Sequence, residues 1–264
     1  MAARRRRTKP VNPVRVNAAL LSAYRRDLQK ANTIYKAQVD KRVKTLLRQI
    51  DALDRTRPGA FAQAAEKLQT SIDNLQRNLD AANRRSAAAV DRFVARADKE
   101  NRRRTVAVFS RRGAANDIDA VLNSKASITS KNIRRLADRY KADLDDVNRD
   151  YSDRVQIILQ ARLGGSRADS RKALRNARSI VTRRIKNTAS NQAHNINASL
   201  NRTRQAALGA KGYMWRTRDD EKVRDSHAEL HNTEQRWAAR PQPLNRHPGE
   251  DFGCRCDALP IVEV

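Results

Sequence analysis

The sequence predicts a mainly α protein: long helices forming a bundle or extended helical array, followed by a small C-terminal α+β domain with short strands. Three observations carry this. No proline occurs between Pro58 and Pro241, and beyond Gly59, which follows Pro58 directly, the glycines in that interval are only Gly113, Gly164, Gly165, Gly209 and Gly212. Since proline and glycine are the usual helix breakers, long helices separated at those points follow. Apolar residues recur there every three or four positions, which is the helical period. After Gly212 the grammar changes: residues 213–264 hold both tryptophans, both cysteines, three of the four histidines and four of the seven prolines.

In chain order, residues 1–13 read as a basic disordered arm, with Arg4, Arg5, Arg6, Arg7 and Lys9 followed by Pro10 and Pro13 and no apolar period. A basic helical region is expected over 14–212. Its first helix runs from Val14 to Leu53 on the stripe Leu20, Tyr24, Leu28, Ala31, Tyr35, Val39, Val43, Leu46, Ile50 and Leu53. A second starts after Pro58-Gly59 and continues through Phe61, Leu68, Ile72, Leu75, Leu79 and Ala82 to Val90, Phe93 and Ala97. Arg102, Arg103, Arg104, Arg111 and Arg112 make its far end strongly basic. A third spans Thr129 to Leu163, with Ile133, Leu136, Tyr140, Leu144, Val147, Tyr151, Val155 and Ile158 at an eleven-residue period. Ser166-Arg167-Ala168-Asp169 has capping-box form and opens a fourth helix reaching Leu208, decorated by Arg183, Arg184 and other cations. Stripes this narrow need a partner helix, within the chain or in a second copy.

The domain at 213–264 is read as a strand at Tyr213–Thr217, a helix from Asp219 to His231 behind a second capping box, a strand at Gln235–Trp237 and a closing strand from Cys254 to Val262.

Charge divides the chain the same way. The whole carries +27, while residues 213–264 hold 8 basic and 10 acidic side chains. The upstream part is therefore the polyanion-attracting part, and double-stranded DNA, bound without sequence preference, is its first candidate partner. The cations named above, from Arg4 to Arg184, are the candidate contacts. No recognition helix of helix-turn-helix type and no aromatic stacking platform is legible. No apolar run approaches bilayer length, and the N-terminal arginines are not followed by the apolar stretch of a secretory signal.

Two cysteines one residue apart do not make a disulfide framework. His227, His247, Cys254 and Cys256 are the donor types of a closed Cys2His2 structural zinc site, with His231 in reserve four residues after His227. The metal-free alternative has His227 hydrogen-bonded in the core and the cysteines acting as small buried hydrophobes.

The run Trp215-Arg-Thr-Arg-Asp-Asp-Glu-Lys-Val-Arg-Asp-Ser-His227 and the string His247-Pro-Gly-Glu-Asp-Phe-Gly-Cys254-Arg-Cys256 together resemble the opening and closing signatures of the Mu F-like phage head morphogenesis family. The resemblance covers roughly residues 170–262. The family usually has a glycine shortly after its His-x-x-Leu element, where this chain has His231-Asn232 and asparagine can take the left-handed turn. The resemblance implies a minor head protein, not an enzyme. Such a protein sits in the virion interior near the portal vertex after assembly in the host cytoplasm, contacts portal or major capsid protein, and associates with packaged DNA. A zinc-dependent hydrolase or nuclease using His227, Glu229, Glu250 and Asp251 is the enzymatic alternative; no motif fixes a general base for it. A host nucleoid-type protein would suit the basic half alone.

Overall fold

The structure, a computed structural model, describes residues 8–10, 12, 14–76, 80–110, 117–166 and 168–263. Arg4–Arg7, Arg111, Arg112, Arg167 and Leu79 lie outside them. The described elements are β1 (Thr8–Pro10), α1 (Ala18–Asp51), α2 (Pro58–Asp73), α3 (Asp80–Ser110), α4 (Ile118–Ser124), α5 (Ala126–Leu163), α6 (Ser170–Ala207), β2 (Gly212–Arg216), α7 (Asp225–Ala228), β3 (Glu234–Arg236) and β4 (Asp257–Glu263). The fold is mainly α with a small antiparallel sheet of strand order β1-β4-β2-β3. The chain compacts into two units: Tyr24–Val90 with Arg139–Thr188, and Met1–Ala23 with Asp91–Asp138 and Ala189–Val264. The C-terminal segment from Tyr213 thus shares its unit with parts of the helical region.

In the unit of Tyr24–Val90 and Arg139–Thr188, the periodic stripes are the core. From α1, Tyr24, Leu28, Ala31, Tyr35, Val39, Val43, Leu46 and Ile50 are buried, and from α5, Tyr140, Leu144, Val147, Tyr151, Val155 and Leu159. The α5 stripe takes Leu159 inward where Ile158 was expected, keeping a four-residue step. Amide side chains cross the apolar interior. Asn32 Nδ2 donates to Asn148 Oδ1 (3.3 Å), whose own Nδ2 donates to Asn83 Oδ1 (3.0 Å). Tyr35 Oη and Ser152 Oγ lie 2.7 Å apart, also buried. Such pairs discriminate against a slipped register, because a slip leaves each amide without its partner in the core.

The helix expected from Pro58 to Ala97 is two helices. α2 stops at Asp73, and a 3-10 turn covers Asn74–Gln76. Aspartate and asparagine compete with the helical backbone there. The carbonyls released are met by neighbours distant in sequence: Gln156 Nε2 donates to Ile72 O (2.9 Å) and Arg42 Nη1 to Leu75 O (2.8 Å). The cap of α6 also differs from expectation. Asp169, not Ser166, receives the backbone N–H of Lys172 at 3.0 Å. α4 was not foreseen; Asp117 caps it by accepting from Ala120 N–H at 2.8 Å.

In the other unit, β2 and β4 are the inner strands, with β2 paired to β3 on one side and to β4 on the other. Tyr213 and Trp215 point into a cluster with Leu230, Trp237 and Ala258. A second cluster joins Phe109, Ile118 and Leu122 to Ala210 and Val262. At Gly212 a side chain would meet Gln235 O at 2.6 Å, so the strand approach itself requires glycine. β1 pairs with β4 inside the segment expected to be an arm, from Thr8↔Glu263 to Pro10↔Ile261. Asn197 and Asn201 of α6 both donate to Val14 O, at 2.7 and 2.8 Å.

The helix expected from Asp219 to His231 is mostly turn, and only Asp225–Ala228 is helical. Asp219 has φ +56°, and Asp220 Oδ1 accepts from Lys222 N–H at 3.2 Å while Arg255 holds the same carboxylate. Local carboxylate–backbone bonding wins over helix here. Asn232 takes φ +62°, the left-handed conformation expected of it.

Asn148→Ala should strand the Asn32 amide in the core and lower the unfolding free energy by about 2 kcal/mol. A urea denaturation series against the parent checks this; an unchanged midpoint would mean the amide layer adds nothing.

Candidate functional site

The string His247–Cys256 is seated on one face of α6. Asn195 Nδ2 donates to Gly249 O (3.0 Å), and Asn191 Oδ1 accepts from Gly253 N–H (2.8 Å). Arg202 Nη1 pairs with Glu250 Oε1 (3.0 Å). Between them Gly249, at φ +80°, lies so close to Ala198 that an added Cβ would sit 2.4 Å from the alanine methyl. Positions 191, 195, 198 and 202 follow the helical repeat, so they form a single receiving stripe. Sequence reading missed these residues. Their signal was an unusual density of Asn and Gln in α6 between Asn187 and Asn201, where the arginines stop.

The seated string sends its chemistry to two places. His247, 2% exposed, points at Tyr213: its Nδ1 lies 2.8 Å from the Tyr213 hydroxyl, and its ring packs 5.2 Å from Trp237. It is thereby separated from the other expected zinc ligands. Burial first, then the Arg202 charge, lowers the pKa of His247. Burial raises that of Tyr213, so both are neutral near pH 7. His231 is also engaged elsewhere, with the Thr217 hydroxyl.

Three of the expected donors do converge. His227 Nδ1 lies 3.4 Å from Cys256 Sγ and 3.6 Å from Cys254 Sγ, and the three donor atoms are all within 4.8 Å of one another. α7 brings the histidine and the turn before β4 brings the cysteines. The hydrogen bond between the two thiols pulls Cys254 below the usual thiol range and pushes Cys256 above it. Gly249 N–H donates to Cys254 Sγ at 3.2 Å. Behind the imidazole, Asp251 Oδ2 lies 3.5 Å from His227 Nε2 and is held by Arg224 and Arg246, each at 3.1 Å. Glu250, the other carboxylate of the string, is tied to Arg202 and Arg240.

The candidate DNA contacts fall into distinct groups. Arg4–Arg7, Arg111 and Arg112 lie outside the described residues, as does the side chain of Lys9. Arg102 is bound to Asp119 (2.6 Å) and Asn123, while Arg103 and Arg104 both grip Glu100, whose pKa these two hydrogen bonds hold down to about 2. Arg184 is paired with Asp150 at 2.6 Å. Arg183 is exposed and in no salt bridge among the described residues. It belongs to a larger pattern. α6 carries nine Arg or Lys and no Asp or Glu. Arg171, Lys172 and Arg175 are likewise exposed. At 100° per residue these four span an arc of roughly 120° opposite buried Ala177, Val181 and Ile185.

Gly249→Ala should cost on the order of 3 kcal/mol, since the methyl both clashes with Ala198 and occupies left-handed backbone; thermal unfolding measures it. His247 generates a pH dependence. Its folded pKa lies below the ordinary 6.5, so the unfolded chain takes up the proton first as pH falls. The stability from the neutral ring is complete above pH 6.5 and lost as pH drops towards the lowered value. His247→Gln should flatten the stability profile below pH 6.5, and an unaltered profile would assign that slope to other groups.

A family profile described as Phage Mu protein F like protein matches residues 129–259. An uncharacterised protein of Haemophilus influenzae is 31% identical over 173 residues, covering 65% of this chain and 38% of the relative. The chain thus spans under two fifths of that relative's length. No solved structure matches. The matched region takes in α5, α6, the seated string and the His-Cys-Cys cluster, and through it the chain belongs to the Phage Mu protein F like family.

Proposed function

We propose that this chain is a minor head protein of a tailed bacteriophage, which assists head assembly near the portal and associates with packaged DNA without reading its sequence. The observation that carries the DNA half is α6: nine basic residues, no acidic one, and an exposed arc at Arg171, Lys172, Arg175 and Arg183 in no salt bridge among the described residues. Cations on a rigid helix face neutralise phosphates and release counterions, which is affinity without sequence preference. The arginines at 102–104 contribute less to this role, because Asp119 and Glu100 already hold them.

Family membership supports the head-assembly half. The acidic balance of residues 213–264 suits contact with portal or major capsid protein better than with DNA. The role is non-catalytic. Two of the carboxylates in the enzymatic alternative, Glu250 and Asp251, are each locked between two arginines, which disfavours either as a general base. By this reading the protein resides in the virion interior and passes through the host cytoplasm during assembly.

Gel shifts on unrelated duplexes across a salt series test the DNA half. Binding should be equal for all sequences and fall steeply with salt. Replacing Arg171, Lys172, Arg175 and Arg183 by Gln should make the slope of log K against log salt shallower by up to about 3.6, at roughly 0.9 per phosphate contact. A slope that does not change removes α6 from the interface. For the assembly half, the protein should appear as density beside the portal of intact heads; its absence from particles would refute that placement.

A further inference from the structure

The convergence of His227, Cys254 and Cys256 is independent of DNA binding and has the dimensions of a metal site. A tetrahedral zinc ion with Zn–S near 2.3 Å and Zn–N near 2.0–2.1 Å requires an N···S edge of about 3.5 Å. The two observed N···S distances, 3.4 and 3.6 Å, match that edge.

The surroundings suit thiolates and an oriented imidazole. Gly249 N–H points at Cys254 Sγ, a donor that stabilises negative sulfur. The pocket of about 50 Å³ beside the donors is lined by Arg218, Lys222, Arg224 and Arg255. Two thiolates would carry negative charge into a surround of cations, and a dication between them would leave the centre neutral. Asp251 Oδ2 stands behind the ring, 3.5 Å from the nitrogen that does not face the cysteines, with Arg224 Nη1 3.4 Å from the same nitrogen and 3.1 Å from Asp251. A carboxylate accepting from the far N–H of a ligating histidine is the usual outer partner of zinc-bound imidazole.

We propose that His227 Nδ1 and the Cys254 and Cys256 thiolates bind one zinc ion, with Asp251 orienting the imidazole and water from the adjoining pocket as the fourth ligand. His247 is no part of the set: its Nδ1 faces the Tyr213 hydroxyl, and the ring does not join the three converging donors. Binding needs no redox partner: the two thiols each release a proton to solvent and the metal takes their place. The ion ties α7 to the turn before β4, adding to the bonds that Arg224 makes there to Asp251 and Phe252 O.

The test uses the full chain, stripped with chelator under reducing conditions and titrated with zinc, then with cobalt. One zinc per chain is expected, and the cobalt form should show thiolate-to-metal charge transfer and the strong visible bands of tetrahedral coordination. Cys254→Ser, Cys256→Ser and His227→Ala should each lower bound zinc at least fivefold, whereas His247→Gln should retain one per chain. Asp251→Asn should keep the stoichiometry and weaken affinity about 10- to 100-fold. Because a ligand variant that misfolds would also lose metal, the cobalt spectrum of the unmodified chain decides independently. Absence of stoichiometric metal or of thiolate charge transfer overturns the site. Loss of metal in a folded His247→Gln chain overturns the ligand set. Neither result bears on DNA binding.

Discussion

The contact between Gly249 and Ala198 sets the geometry of the C-terminal chemistry. A backbone in left-handed conformation meets a helix at a distance that excludes any side chain, and Asn191 and Asn195 lock the chain there through its own peptide groups. Once that seat is taken, the short string beyond it has little freedom. His247 must meet Tyr213, Asp251 must back His227, and Cys254 must turn its sulfur under Gly249 N–H. The seat also explains why an otherwise basic helix changes to amides along its second half. Arginine there would have to shed water against a peptide surface, while asparagine can satisfy the carbonyl and N–H it meets.

Charge in this protein has two separate uses. Many arginines are spent on carboxylates within the fold, as at Glu100, Asp119, Asp150, Asp220 and Asp251. Such exposed pairs add little stability each, and they withdraw those cations from any outside polyanion. The arc on α6 has no acidic neighbour on its own helix and keeps its charge available. A count of basic residues therefore overstates the binding surface, and the distribution of acids locates it. The run at 102–104, the densest in the described helices, is the more occupied one.

Amide layers do a different job in the helices. Stripes of Leu, Val, Ile and Ala at three- and four-residue steps tolerate a slip of one helical turn with modest loss. Asn32, Asn83 and Asn148 do not, since each would lose a partner inside an apolar interior. Asn101, Asn197, Asn201 and Val14 repeat the device with the N-terminal segment, whose carbonyl accepts two amides.

Helical period, breaker positions and the concentration of Trp, Cys and His after Gly212 were enough to read four long helical stretches, the strands β2, β3 and β4, the cysteine pair with His227, and the family. Those are properties of short windows, in which side-chain spacing and local backbone preference act without regard to the rest of the chain. The tertiary structure decided what depends on distant partners. It split the second helix at Asp73, where Gln156 and Arg42 satisfy the freed carbonyls. It reduced the Asp219–His231 helix to one turn, with Asp220 committed to Arg255. It drew Thr8–Pro10 into the sheet against β4, and it gave His247 to Tyr213 instead of to the cysteines. In every one of these, a hydrogen bond from far along the sequence, which no spacing rule can see, takes part in the outcome.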